Sequence, residues 1–322
     1  MSVHGVGISS IAEIKRMAWG TVARWLDLAA RYTERFNLRM LKDFVIHELQ
    51  ADEIRTFVGT KKQVTWVLTT LEVWSRLWIS VVIGRRNFCN IKGVILDTLE
   101  RGRVEHRFLF TTDGFEMYEW AAKRFLVGGC IYGQVIKKRR ENRMVRVDRR
   151  LLLGTDTELK EALLHSEDSS TLNSSFIERH NLTLRQSCSY LGRRTPCHAR
   201  RPEFLVGHMA LLMAYYNFVR PHRALKFDKT LRTPAMQAGL TKRGLSFRDV
   251  FTSQEAFFLL FLIVALYEKR LLRLPISLGN VLEGPLPNNS SLTKHPNSRL
   301  DSVPEIILAS SAYCLYTPGN LR

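Results

Sequence analysis

The chain has 322 residues, 45% of them hydrophobic, enough for a sizeable core and for two or three domains. A formal net charge of +18 and a pI of about 10.0 imply a polyanionic partner, most commonly nucleic acid. The five cysteines, Cys89, Cys130, Cys188, Cys197 and Cys314, include no C-x-x-C pair, which excludes a zinc ribbon and suits a reducing cytosol. No apolar N-terminal run marks a signal peptide, and the longest apolar run, AFFLLFLIVALY (256–267), is shorter than the ~18–20 residues of a bilayer span. The expectation is a cytoplasmic protein without a membrane anchor.

Residues 8–30, ISSIAEIKRMAWGTVARWLDLAA, carry two short helical patterns. Ile8, Ile11, Ala12 and Ile14 share one face; Val22, Trp25, Leu26 and Ala29 share another. Ala12 precedes Thr21 with the spacing of a helix-turn-helix, in which a small residue lets two helices cross and Thr-Val opens the recognition helix. Arg16 stands where the turn usually has glycine, so an ordinary helical hairpin is the other reading. In the helix-turn-helix reading, Thr21 and Arg24 face DNA. Next, FVIHELQADEI, VTWVLTTLEV and RLWISVVIG (within 44–84) are β-branched or aromatic and read as strands separated by polar breaks such as GTKKQ. NIKGVILDTLE (90–100) has helical spacing, RFLFTTDG (107–114) reads as a short buried strand ending on an acid, and FEMYEWAAKRF (115–125) as a helix. Residues 130–154 mix strand patches with basic residues, and 155–173 read as a polar linker. A helix opens near Glu178, and EFLVGHMALLMAYYNFV (203–219) reads as a long apolar helix between Pro202 and Pro221. From about 251 the character changes, and a Pro/Asn/Ser-rich tail from Pro275 is expected to be poorly ordered. The order predicts a mixed α/β fold, a three-strand meander followed by crossovers.

Ligands in such a fold gather outside the carboxyl ends of strands, and three acids could meet there, one from a first strand, one from the C-terminal end of a later strand and one from the start of a later helix. They are Asp52 in LQADEI, Asp113 in FTTDGF and Glu178 in SSFIERHNLTLRQ. Carboxylates arriving from two strands and a helix suit a two-ion Mg²⁺ or Mn²⁺ site for in-line phosphoryl displacement. Each acid also has a plainer role. Ser175-x-x-Glu178 reads as a capping box, Asp113-Gly114 as a turn, and Asp52-Glu53 as a strand end, with Glu53 and Glu72 competing for the first ligand position.

The blocks LQADEI…FVGTKKQ, FTTDGF, SSFIERHNLTLRQ and AYYNFVRPHRAL…RTPAMQAGL resemble, in order and across about residues 8–250, the signature blocks of bacterial insertion-sequence transposases of the DDE superfamily. The resemblance implies a ribonuclease-H-like, retroviral-integrase-like catalytic core over 41–250, preceded by a helix-turn-helix segment (1–40) and closed by C-terminal helices. The tail 251–322 matches nothing in the family. Asp52, Asp113 and Glu178 correspond to the D, D and E, as catalytic residues and metal ligands, and Glu178 is then both cap and ligand. The activity implied is metal-dependent cleavage and strand transfer at the ends of a mobile element. The implied partner is double-stranded DNA, both element ends and target, bound by a homo-oligomer.

The charge distribution fits that partner. From Arg179 to Pro202 there are six arginines and no acid, and residues 137–150 add a second basic run. Arg179, Asn181, Arg185, Arg193 and Arg194 follow the third acid and are expected on the DNA surface, with Arg220 and His222 beyond the long helix; His222 is equally well a cap. Arg55 stands where the family usually carries an aromatic residue, and with the unmatched tail it motivates a second reading: a catalytically inactive, transposase-derived DNA-binding protein. A nuclease acting on RNA–DNA hybrids is a third, which the helix-turn-helix pattern opposes.

Overall fold

Residues 1–141, 143–166, 170–227 and 229–252 are described by a computed structural model of the chain. The tail beyond 252 and its apolar run lie outside the described residues. Two helices come first, α1 (Ile8–Lys15) and α2 (Trp19–Met40). They turn at Arg16, whose φ of 51° and ψ of 47° put it in the left-handed conformation that a glycine adopts more cheaply. Ile11, Ala12 and Val22 form a small core between the helices, joined by Ile8 and Leu26. Ile14 and Trp25, grouped above on one face with Ile11 and with Val22, are 58% and 59% exposed. The second helix is also longer than its short pattern suggested. Its later half belongs to the main core through Phe36, and Asn37 Nδ2 donates to the Ala210 carbonyl at 2.8 Å.

The expected meander forms as β1 (Glu48–Val58), β2 (Thr60–Glu72) and β3 (Trp78–Gly84), antiparallel in sequence order. GTKKQ is not a five-residue break: the turn rests on Gly59 (φ 73°), and residues 60–63 continue as an exposed strand extension. α3 (Phe88–Arg101) crosses to β4 (Phe108–Thr112), all five residues of which are buried. α4 (Glu116–Phe125) crosses to β5 (Cys130–Arg140), which turns back as β6 (Arg143–Leu153). The six strands make one mixed sheet in the order β3-β2-β1-β4-β5-β6. β4 is parallel to both β1 and β5, as crossover helices require.

Successive side chains of β1 serve opposite faces, as the two-residue period demands. Gln50 and Asp52 bond to α6 (Ser175–Ser187), whereas Glu53 bonds to Tyr118 of α4. The sheet is therefore covered on both sides, which matches the near-continuous burial of β1 at Leu49, Ala51 and Ile54. The expected linker 155–173 is not all loop: Asp156–Leu164 forms a helix, α5, opened by a capping box between Thr155 and Glu158. α7 (Pro202–Ala214) continues as a π-helical turn over Tyr215–Val219, where Asn217 bonds both the N–H and the C=O of Trp78 and so closes the start of β3. The described residues make up one compact unit. No helix among the described residues is long and apolar enough to cross a membrane.

Candidate metal centre and nucleic-acid surface

The parallel register of β1 and β4 places the first two acids. Glu48, Leu49 and Gln50 pair with Leu109, Phe110 and Thr111, and the same register carried two residues further sets Asp52 opposite Asp113. β4 ends at Thr112, so Asp113 leaves the strand at the point where the two chains part. There its Oδ1 accepts from the Phe115 N–H at 3.0 Å, an Asx-type turn into α4. Gly114 permits this turn, since a Cβ there would lie 2.8 Å from Ile136 Cγ1. The turn role and the ligand role thus coexist in one residue.

Asp52 is held by two donors. Its Oδ1 accepts from the Glu53 N–H and its Oδ2 from Asn181 Nδ2, both at 2.8 Å. Burial, opposed by the Glu53 N–H bond and aided by the charges of Asp113 and Glu178, pushes the Asp52 carboxyl up to about 6. Burial and the same acidic neighbours push Glu53 up to about 7, against the pull of Arg86. Asp52, Glu53 and Asp113 each bring one oxygen within 4.8 Å of the others, a spacing that admits a shared metal ion. All the donors are carboxylate oxygens, the set that hard divalent cations take. Of the two competitors for the first ligand, Glu72 drops out. It is fully buried, and its oxygens accept from Trp74 N, Ser75 N and the Ser75 hydroxyl inside the β2–β3 turn.

Glu178 lies in the first turn of α6, close enough for its charge to raise Asp52. Its Oε1 accepts from Lys137 Nζ and, at 2.6 Å, from the Ser174 hydroxyl. The expected Ser175–Glu178 capping box does not form. The N-cap is Ser174, so Ser175 is already helical and Glu178 sits one position too late for the reciprocal bond. The helix start is satisfied otherwise: Ser175 N–H donates to Asn173 Oδ1 and Ile177 N–H to Gln50 Oε1. Gln50 also donates to the Asn173 carbonyl at 3.1 Å, which clamps α6 onto β1 beside Asp52.

The DNA-facing residues divide. Arg24, Arg179, Arg193 and Arg194 are exposed and Thr21 is half-buried. Asn181, expected at the DNA surface, is buried and spends its amide on Asp52. Arg185 is half-buried and donates to the Leu191 carbonyl at 3.0 Å; burial and neighbouring Arg193 lower its pKa. His222 packs edge-on against Tyr216 and lies 3.3 Å from that residue's carbonyl, and burial lowers its pKa to about 4. It is packed within the fold, and Arg220 beside it is half-buried. In the basic hairpin, Lys138 and Arg146 both pair with Asp148. Arg55 is exposed, its guanidinium 5.0 Å from the Phe57 ring centroid. Sequence reasoning missed Lys137 as the partner of Glu178, Gln50 as the clamp and Arg86, which reaches Glu53 and Asp113.

No protein-family model matches the chain, and no curated protein matches it. The class defined by fold and site is therefore a mixed α/β protein with a carboxylate cluster at the rim between two parallel strands.

Proposed function

We propose that this chain is a DNA transposase that cuts and joins DNA at the ends of a mobile element. The observation that carries the reading is the register of β1 and β4, which sets Asp52 against Asp113 with the helix of Glu178 clamped alongside. The strand order, with an antiparallel meander followed by two parallel strands, is compatible with a ribonuclease-H-like core. Asp52, Asp113 and Glu178 would hold Mg²⁺ or Mn²⁺, Glu178 after leaving Lys137. When bound, such ions supply charge neutralisation for in-line phosphoryl displacement. Asn181 and the Glu53 N–H orient Asp52, and the Phe115 N–H orients Asp113. Exposed Arg179, Arg193 and Arg194 hold the phosphate backbone. Water attacks one phosphodiester and frees a 3′-hydroxyl; that hydroxyl then attacks a target phosphodiester, and the target 3′-oxygen leaves. The second reading, an inactive DNA-binding relative, is favoured by the engagement of Glu178 with Lys137.

The test is cleavage and strand transfer on duplexes carrying the sequences that flank the coding region, in Mn²⁺, with wild type and Asp113→Asn. The expected result is end cleavage by wild type and a loss of orders of magnitude in the variant, with DNA binding retained. Wild-type binding without cleavage would instead support the inactive reading.

A further inference from the structure

Arg86 lies between β3 and α3, and its guanidinium is held on several sides. It pairs with Glu53 Oε1 through Nε and a terminal nitrogen, and that terminal nitrogen lies 3.4 Å from Asp113 Oδ2. Its carbon stands 3.8 Å from the Phe115 ring centroid and 5.0 Å from that of Trp66. The other oxygen of Glu53 accepts from the Tyr118 hydroxyl at 3.1 Å. The Glu53 side chain is 2% exposed and that of Arg86 31%. Both Glu53 oxygens are thus committed to anchoring, although Glu53 is within reach of the same ion position as its neighbours.

We infer that Arg86, anchored on Glu53 and clamped against Phe115, is a positioning residue that fixes the Asp113 carboxylate for cation binding. The inference rests on the metal-site reading under Proposed function. Asp113 needs such a fixture because β4 has ended and strand pairing no longer restrains it. The Phe115 N–H holds Oδ1, and Arg86 supplies the second point at Oδ2. A planar fork can bond Glu53 and Asp113 together, which the point charge of a lysine cannot. Groups that orient ligands in this way set metal affinity by about 10–100-fold.

The experiment measures Mn²⁺ binding to the full chain by calorimetry, beside thermal melting in chelator. The variants are Asp52→Asn, Arg86→Gln, Arg86→Lys, Glu53→Gln and the double variant Glu53→Gln/Arg86→Gln. Arg86→Gln makes the site one charge more negative, which alone would tighten binding. The expected result is nevertheless about tenfold weaker binding, repeated in the double variant against Glu53→Gln, with no rescue by Arg86→Lys. Unchanged or tighter binding in folded Arg86→Gln overturns the inference. If Arg86→Gln does not fold because it strands a buried carboxylate, the double variant removes that charge too and is compared with Glu53→Gln alone, which accounts for the loss of a carboxylate within reach of the ion; equal Mn²⁺ binding by those two overturns the inference. Asp52→Asn separates the two levels. If it binds Mn²⁺ like wild type, the metal-site reading falls and takes the inference with it. If it loses binding while the Arg86 variants do not, the inference alone falls.

Discussion

Glu178 has a lysine and a serine as partners in the metal-free protein, and its side chain is 44% exposed. An ion pair this open contributes about 0–1 kcal/mol. Glu178→Gln keeps an acceptor for both Ser174 and Lys137, so the melting temperature should stay within about 2 °C of wild type. Cleavage should fall by orders of magnitude if the carboxylate is a ligand; wild-type cleavage would leave Glu178 as a surface partner of Lys137 only. Asp52 gives a different readout, because its carboxyl is raised to about 6, with Glu53 raised to about 7 beside it. In the unfolded chain both ionise near pH 4. Between about pH 4 and 7 the unfolded chain releases protons that the folded chain keeps, so these groups favour folding below that window and lose the advantage as pH rises through it. In chelator, Asp52→Asn should therefore gain stability over wild type as pH goes from 4.5 to 8. A constant difference between the two melting curves across that range would remove the buried acid from the account. Mn²⁺ binding by wild type should weaken as pH falls through 7 to 6, since protons compete for the same oxygens.

At the scale of elements, the position of Glu178 depends on how α6 is docked. Gln50 accepts from Ile177 N–H and donates to the Asn173 carbonyl, both across the gap from β1 to the start of the helix. Gln50→Ala strands those groups and should cost about 1–3 kcal/mol, read as a lowered denaturant midpoint with an unchanged slope. A neutral result would mean that α6 is held by packing through Ile177 and Leu184 alone. The strands around this site were legible in the sequence because their β-branched runs are long and buried, and Asp113 was legible as an acid at a strand end, whereas Asp52, expected as a strand end, lies inside β1 opposite Thr69. α5 was read as linker because it is short, polar and has no fully buried residue; its signals were Thr155 followed by Glu158 and a brief stripe of Leu159, Ala162 and Leu163, which packs beside Ile131 and Leu172. The start of α6 was misplaced by one residue because Ser174 and Ser175 are equivalent as sequence, and the contacts at the helix start, among them Gln50 to Ile177 across 127 positions, are tertiary. Arg86 and Lys137 escaped notice for the same reason. Their acids lie 33 and 41 positions away, and only the tertiary fold brings them together.

For the whole molecule, the N-terminal helices are part of the architecture that carries the acids. A Cβ at Gly207 of α7 would lie 2.7 Å from that of Ala30 in α2, so the two helices cross in close contact, and Phe36 completes the main core. Deleting residues 1–35 would uncover α7, and lost binding would then report lost folding. Point substitutions separate the two proposed DNA contacts without that cost. Arg24 is exposed on α2 and is the proposed reader of the element ends, whereas Arg193 and Arg194 are exposed beyond α6 as proposed phosphate contacts. Base-edge contacts discriminate between sequences, whereas phosphate contacts release counterions whatever the sequence. Arg193→Ala/Arg194→Ala should weaken binding to end-containing and unrelated duplexes alike and reduce the salt slope by about 2. Arg24→Ala should cost about 1–3 kcal/mol on the end duplex and little on an unrelated one. Affinity measured for both duplexes across a range of salt concentrations decides it. An equal loss on both duplexes would make Arg24 one more phosphate contact, and no loss on either would leave α1 and α2 as a structural pair packed on α7.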